Sequence, residues 1–482
     1  MKKIRVTAMA CVLVMLISAL AGCGQNTGGG AKAQTAGNDT NAPKQTSDNE
    51  NNALAQSAGN GNETTTPEPG SLDTSEKRVI HFLSTWPETD PNVKILRELT
   101  EQYKNEVDPN IELEVEVITG DAIQRQVKIY NSSNDLPDLF TYFPGRPLQA
   151  LIDMDAVVDV EAEFGKLGIF DSIDSGAVSL LKTFEGNQGG LHALPIGMNL
   201  EGFWYNKQIF EENNLEVPQT WDDMFNICEV LKSKDMTAIG LGGKQKWPIT
   251  RLINAYIMRS MGPDAMYKAS IGEIPFDDPG FVEAGEVIKD MVDKGYFGEG
   301  YITLENSDAE NMLMNGQCAM IYDGSWIVGN LLNDPEKNPL GENVGFFNIP
   351  KLANGAEDQD AYSMNCGSAL ILAKSKYDDR LAGWCAYVFP RMGNKAMEIC
   401  GESKGYTVTQ APETVSHYTQ LVNDEMAKVK STSLFFESLM DDETTALARD
   451  NAQALCLGTM TSEEYFETLN EANGRYLENQ KQ

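Results

Sequence analysis

A chain of 482 residues is too long for one small core and suits two lobes, and a hydrophobic content of 41% makes most of it globular. The formal charge of −33 comes from 71 acids against 38 Lys and Arg, and a field of that sign repels phosphate backbones, which excludes a nucleic-acid partner.

The N-terminus has its own function. Lys2, Lys3 and Arg5 precede an apolar run from Thr7 to Leu20, which is short for a bilayer span and reads as a secretory signal over residues 1–22. The run ends in Leu20-Ala21-Gly22-Cys23, which resembles the lipobox of bacterial lipoproteins. That resemblance implies a diacylglyceryl group on the Cys23 thiol and cleavage just before it, so that acyl chains hold the protein to the membrane. Residues 23–76 are rich in Asn, Gly, Thr, Gln, Ala and Ser, lack the apolar content for a core, and are expected to form a disordered tether. With the signal and tether set aside, about −31 remains on the globular part. The expected location is the outer face of a Gram-positive-like cell membrane.

The folded region opens on a predicted strand, Arg78 to Leu83, followed by a helix after Pro91 with Ile95, Leu96, Leu99 and Tyr103 on one face. Ile111, Leu113, Val115 and Val117 alternate with Glu112, Glu114 and Glu116, the pattern of a strand with one buried and one wet face. A helix around Ile123 to Tyr130 leads to a strand at Leu139–Tyr142. Alternating strands and helices predict an α/β lobe with a largely parallel sheet. A second β/α region begins near Leu191. Thr220, with Asp223 three positions on, caps a helix from Trp221 to Lys232, and a strand follows at Ala238–Leu241. Asp278-Pro279 starts a helix that Gly295 ends, and a helix near Asp308 stops at Gly316 before a strand from Cys318 to Tyr322. The last third is mostly helical, with a final cap at Thr461 or Ser462.

Beyond Cys11 and Cys23, the cysteines are Cys228, Cys318, Cys366, Cys385, Cys400 and Cys456. None forms a C-x-x-C pair and most sit among apolar neighbours, consistent with buried free thiols or with a disulfide or two. Only His81, His192 and His417 are present, too few to expect a structural zinc, and neither metal nor cofactor is expected.

Several segments, in order, resemble the family 1 bacterial extracellular solute-binding proteins, the family of maltose-binding protein. They are Asp135-Leu136-Pro137-Asp138-Leu139-Phe140; Leu194-Pro195 with Phe203-Trp204-Tyr205-Asn206-Lys207 and Pro218 to Asp223; Asn315 to Met320 with Asp323-Gly324-Ser325-Trp326; and Val344-Gly345 through Pro350, then Gly367 and Ala382-Gly383-Trp384. The resemblance runs from about residue 78 to 480. It implies an α/β, two-lobed periplasmic-binding-protein-like fold of type II, each lobe a mostly parallel sheet flanked by helices, with a hinge between. Residues 77–201 plus 368–425 form the first lobe on this reading, and 202–367 plus 426–482 the second. The implied function is the substrate-binding subunit of an ABC importer. It captures a carbohydrate, an oligosaccharide above all, between the lobes and passes it to the transmembrane permease subunits. On this reading the protein is expected to act as a monomer and not to be an enzyme.

A neutral sugar presents hydroxyls at its rim and C–H patches on its faces, so its site combines aromatic platforms with a few fixed polar groups. Trp86, Trp247 and Trp326 follow predicted strands beside Pro, Gly or Ser, whereas Trp204, Trp221 and Trp384 sit in apolar patterns suited to a core. Trp326 and Tyr142 match family stacking positions. Glu88, Arg146, Gln245 and Asp323 are the polar candidates. Asn199 stands where the family relative holds a sugar-binding carboxylate. Rival readings are a secreted glycan-active enzyme and a surface glycan-binding adhesin. No G-x-S-x-G, H-E-x-x-H or Walker loop occurs, and with 71 acids a carboxylate pair carries no information.

Overall fold

The computed structural model describes residues 73–481, apart from 121, 187, 188 and 411. The signal, Cys23 and the tether up to residue 72 lie outside the described residues.

Among the described residues, ten strands make two sheets. They are β1 (Arg78–Ser84), β2 (Ile111–Val117), β3 (Leu139–Tyr142), β4 (Asn199–Asn206), β5 (Thr237–Gly240), β6 (Cys318–Gly324), β7 (Val344–Phe347), β8 (Tyr362–Asn365), β9 (Ala369–Leu372) and β10 (Thr432–Ser433). The first sheet has the order β2-β1-β3-β9, with β1 parallel to both neighbours and β9 antiparallel to β3. The edge strand β2 buries Ile111 and Leu113 but leaves Val117 exposed, so its expected apolar face holds only where the core reaches it.

The second sheet runs β10-β8-β4-β6-β5, with β7 also pairing to β4. It corrects the expectation of a mostly parallel sheet. Only β5–β6 and β8–β10 are parallel, and β4 runs antiparallel to β6, β7 and β8. The reason is connectivity. β4 enters from the first sheet's side, while β5 and β6 are joined by a helical crossover that makes them parallel to each other and opposed to β4. Leu194 still bridges to Leu370 beside the first sheet, and five residues later Asn199 pairs with Asn365 in the second. The chain returns between Asn365 and Ala369.

Local chemistry sets the helix ends. Thr220 Oγ1 accepts from Asp223 N at 3.1 Å while Asp223 Oδ2 accepts from Thr220 N at 3.0 Å, a reciprocal cap for the helix Trp221–Lys232. Thr461 and Glu464 repeat the arrangement before the helix Ser462–Asn479. Separate apolar clusters form around each sheet, and Trp204, Trp221 and Trp384 are fully buried in them. The six cysteines are buried and unpaired. Burial pushes the thiols of Cys228, Cys318 and Cys456 up to about 12 and that of Cys400 up to about 11. Among the described residues, no helix is long and apolar enough to cross a membrane.

Candidate carbohydrate site

The three candidate indoles stand at strand ends, and all three are half-buried. Beyond β1, the Ser84 hydroxyl lies 2.9 Å from both the backbone N and O of Trp86, and Thr85 N donates to Thr141 Oγ1 at 2.9 Å, fixing the turn that carries the ring. Beyond β5 the chain turns through Gly242 and Lys246 into the helix Trp247–Ser260, which places Trp247 at its first position. Beyond β6, Ser325 N donates to Leu200 O at 2.8 Å and Trp326 follows. The rings of Trp247 and Trp326 meet edge to face, with centroids 6.0 Å apart and planes at 72°.

Around these rings lies a buried polar network. Asn199 and Glu201 share one face of β4, as residues two apart in a strand do. Asn199 Nδ2 reaches Asn365 Oδ1 at 3.4 Å, and Ser325 Oγ reaches Asn199 Oδ1 at 3.4 Å. Glu201 accepts from Asn365 Nδ2 at 2.7 Å and Ser363 Oγ at 3.1 Å, and Arg251 Nε lies 3.2 Å from its Oε1. Arg251 also donates to Glu437 Oε2 at 2.7 Å, and its guanidinium lies 3.9 Å from the Phe435 ring centroid and 5.7 Å from that of Trp247. Arg449 Nε is 3.2 Å from Glu437 Oε1. Burial opposes ionisation of Glu437, but Arg251 and Arg449 outweigh it and hold the carboxyl below its usual range.

Gln245 and Asp323 meet on one residue: Asn306 N donates to Gln245 Oε1 at 3.0 Å, and Asn306 Nδ2 to Asp323 Oδ2 at 3.0 Å. Asp323 also accepts from Gly324 N at 2.9 Å. Burial raises the Asp323 carboxyl, and burial together with the Asp323 charge raises its neighbour Glu310 well above the carboxylate range. Both carboxyls therefore hold their protons to higher pH than solvated ones do.

The structure places three expected contacts elsewhere. Tyr142 is 1% exposed and packs edge-on against Phe140, because all four residues of β3 are buried and neither face of the strand is open. Arg146 donates to Ser270 O at 2.6 Å and Asn473 Oδ1 at 3.0 Å, with Tyr476 4.3 Å beneath it, so its donors are engaged by protein. Glu88 is a surface residue paired with Arg97.

Phe143, the residue after Tyr142, is half-buried and borders a cavity of about 360 Å³ shared with Lys246, Phe435, Glu437 and Arg449. The guanidinium of Arg449 lies 5.3 Å from its ring centroid. A second cavity, of about 760 Å³, lies between Pro87 and Asp90 after β1 and the segment Gly329–Lys337 after Trp326. Sequence reasoning missed Phe143, Glu201, Arg251, Phe435, Glu437 and Arg449. Strand alternation links Glu201 to Asn199, and helical spacing links Arg251 to Trp247. No local pattern marks Phe435, Glu437 or Arg449.

Known proteins share this architecture. An uncharacterized ABC transporter extracellular-binding protein of Pyrococcus horikoshii is 25% identical over 290 residues, 58% of this chain and 63% of that protein. A multiple sugar-binding protein of Streptococcus mutans is 24% identical over 301 residues, 59% of this chain and 66% of that one. The chain thus spans about two thirds of these relatives' length. The solved structure of a chitin oligosaccharide binding protein superposes with a TM-score of 0.73 at 22% identity, over 83% of this chain and 99% of that one. The fold is that of type II solute-binding proteins. The bacterial extracellular solute-binding protein family model matches residues 86–383, and the chain belongs to that family.

Proposed function

We propose that this protein captures a neutral carbohydrate, an oligosaccharide in particular, and delivers it to the permease of an ABC importer without transforming it. The observation that carries the reading is the grouping of half-buried Trp247 and Trp326 with the amides and hydroxyls of Asn199, Ser325 and Asn365 where the chain passes between the two sheets. Stacking faces beside neutral hydrogen-bonding groups suit sugar rings. The cations at this place are already engaged, Arg251 by Glu201 and Glu437 and Arg449 by Glu437, which favours an uncharged guest. The families of the named relatives bind solutes, and those named for a ligand are named for sugars.

On this reading the lobes are residues 77–201 plus 368–425 and 202–367 plus 426–482, closing about the guest through the crossing segments. The protein is a monomer held to the outer face of the membrane by lipid on Cys23, with residues 1–22 removed and 23–76 as the tether. A thermal-shift screen over neutral mono- and oligosaccharides tests the function, since a ligand bound only by the folded state raises the apparent Tm. A saccharide that raises Tm, followed by calorimetric titration with intact sugar recovered, supports it. Stabilisation by peptides or anions alone, or recovery of cleaved sugar, overturns it.

A further inference from the structure

The helix that presents Trp247 starts without a side-chain cap, and the residue before it, Lys246, adopts φ 68°, a left-handed conformation that is costly for a side chain with a Cβ. Such a start persists only when its surroundings hold it. Two groups from distant parts of the chain do so. Asp450 pairs with the Lys246 ammonium. Glu437, almost wholly buried, accepts from Thr250 Oγ1 at 2.6 Å and Arg251 Nη1 at 2.7 Å, both within the first turn and a half. The Thr250 hydroxyl also lies 2.9 Å from Trp247 O. One carboxylate thus grips at two points the turn that carries the indole.

A buried ion pair adds little net stability over apolar residues of similar volume, so its presence here calls for a geometric role. We propose that Glu437 is a positioning residue that sets the orientation of the Trp247 platform through Thr250 and Arg251. Trp326 meets that platform edge to face, with ring centroids 6.0 Å apart. The inference rests on the carbohydrate reading only in treating Trp247 as a platform for ligand.

The test labels the six tryptophans with 5-fluorotryptophan and follows them by fluorine NMR, with the Trp247 signal assigned by Trp247→Phe. Thr250→Val removes one grip with little change of shape, and Glu437→Gln removes the charge while keeping an acceptor. The expected result is a shifted, split or broadened Trp247 signal in both variants, with Trp326 following and the buried Trp204, Trp221 and Trp384 unmoved. An unchanged Trp247 signal in folded Thr250→Val protein overturns the proposal, whether or not Glu437→Gln folds. Titration with chitin trisaccharide and raffinose then separates this inference from the reading beneath it. If Trp247 positions ligand, Glu437→Gln weakens binding about tenfold and has no further effect in Trp247→Ala protein. If Trp247→Ala binds as tightly as the native chain, the site reading fails while the NMR result still decides the positioning role.

Discussion

The six-membered ring of Trp326 lies across the α-carbon of Gly324, so close that a Cβ added there would collide with it. Gly324 ends β6 and is buried, and only the absence of a side chain lets the indole fold back over the strand end. The rotamer of the candidate platform is therefore encoded two residues before it. Gly324→Ala is expected to displace the ring and weaken saccharide binding while far-ultraviolet circular dichroism stays native. Trp326→Ala is expected to cost about 2 kcal/mol of binding free energy. Calorimetric titration of both variants checks this, and unchanged affinity in both removes Trp326 from the site.

Arg251 joins Glu201 on β4 to Glu437 on the C-terminal segment. Removing the cation leaves Glu201 buried without a counter-charge and Glu437 with Arg449 alone, so Arg251→Met is expected to destabilise the fold by about 3–5 kcal/mol in urea unfolding. Arg251→Lys keeps the charge but loses the planar fork and the stacking on Phe435, and should fall between. Equal stability of all three proteins would show that the network is energetically idle.

What the sequence made legible was local. The reciprocal cap of Thr220 and Asp223, the strand β3 and the division of six tryptophans into buried and half-buried sets all depend on near neighbours or on alternation. Tyr142 was misplaced because β3 is covered on both faces, and the open side begins only at Phe143, before Pro144. Glu437 and Arg449 lie more than 180 residues from Arg251 and Trp247, in stretches without a motif, and only tertiary packing brings them to the site. The antiparallel β4 was hidden for a related reason, since strand direction depends on which strand becomes its neighbour.

His192 carries a pH signature. Its Nδ1 lies 3.1 Å from Glu185 Oε2, and the bond to Glu185 raises its pKa above the ordinary value, with burial opposing. A raised folded pKa means that this contribution is complete below the unfolded value of about 6.5 and fades as pH rises through the folded value. Denaturant titrations from about pH 6 to 8 should show stability falling, and the fall should shrink in His192→Gln. A slope identical in native and variant protein rules out the linkage.

The six buried thiols should be silent in the native state. Desolvation holds them protonated, and none is paired. Ellman's reagent is expected to leave Cys228, Cys318, Cys366, Cys385, Cys400 and Cys456 unmodified at neutral pH and to titrate all six in denaturant. Fast reaction of any of them without denaturant would reveal local opening around that residue.

Arg146 connects the material around the first sheet to that around the second. It begins the helix Arg146–Asp153, whose Leu148 and Leu151 belong to the first core, yet its guanidinium binds Ser270, Asn473 and Tyr476. Among the described residues no carboxylate forms an ion pair with it; burial lowers the guanidinium pKa, with Tyr476 and Asp441 opposing, and its donors rest on neutral acceptors and an aromatic face. Such a contact contributes about 1.5–3 kcal/mol when intact. If it also favours the closed arrangement, Arg146→Ala should enlarge the radius of gyration of the unliganded protein in solution scattering and weaken ligand by the same shift in population. Arg146→Lys, which cannot span both acceptors while covering the Tyr476 ring, should behave like the alanine variant. A loss of stability with unaltered scattering and affinity would confine Arg146 to structural support.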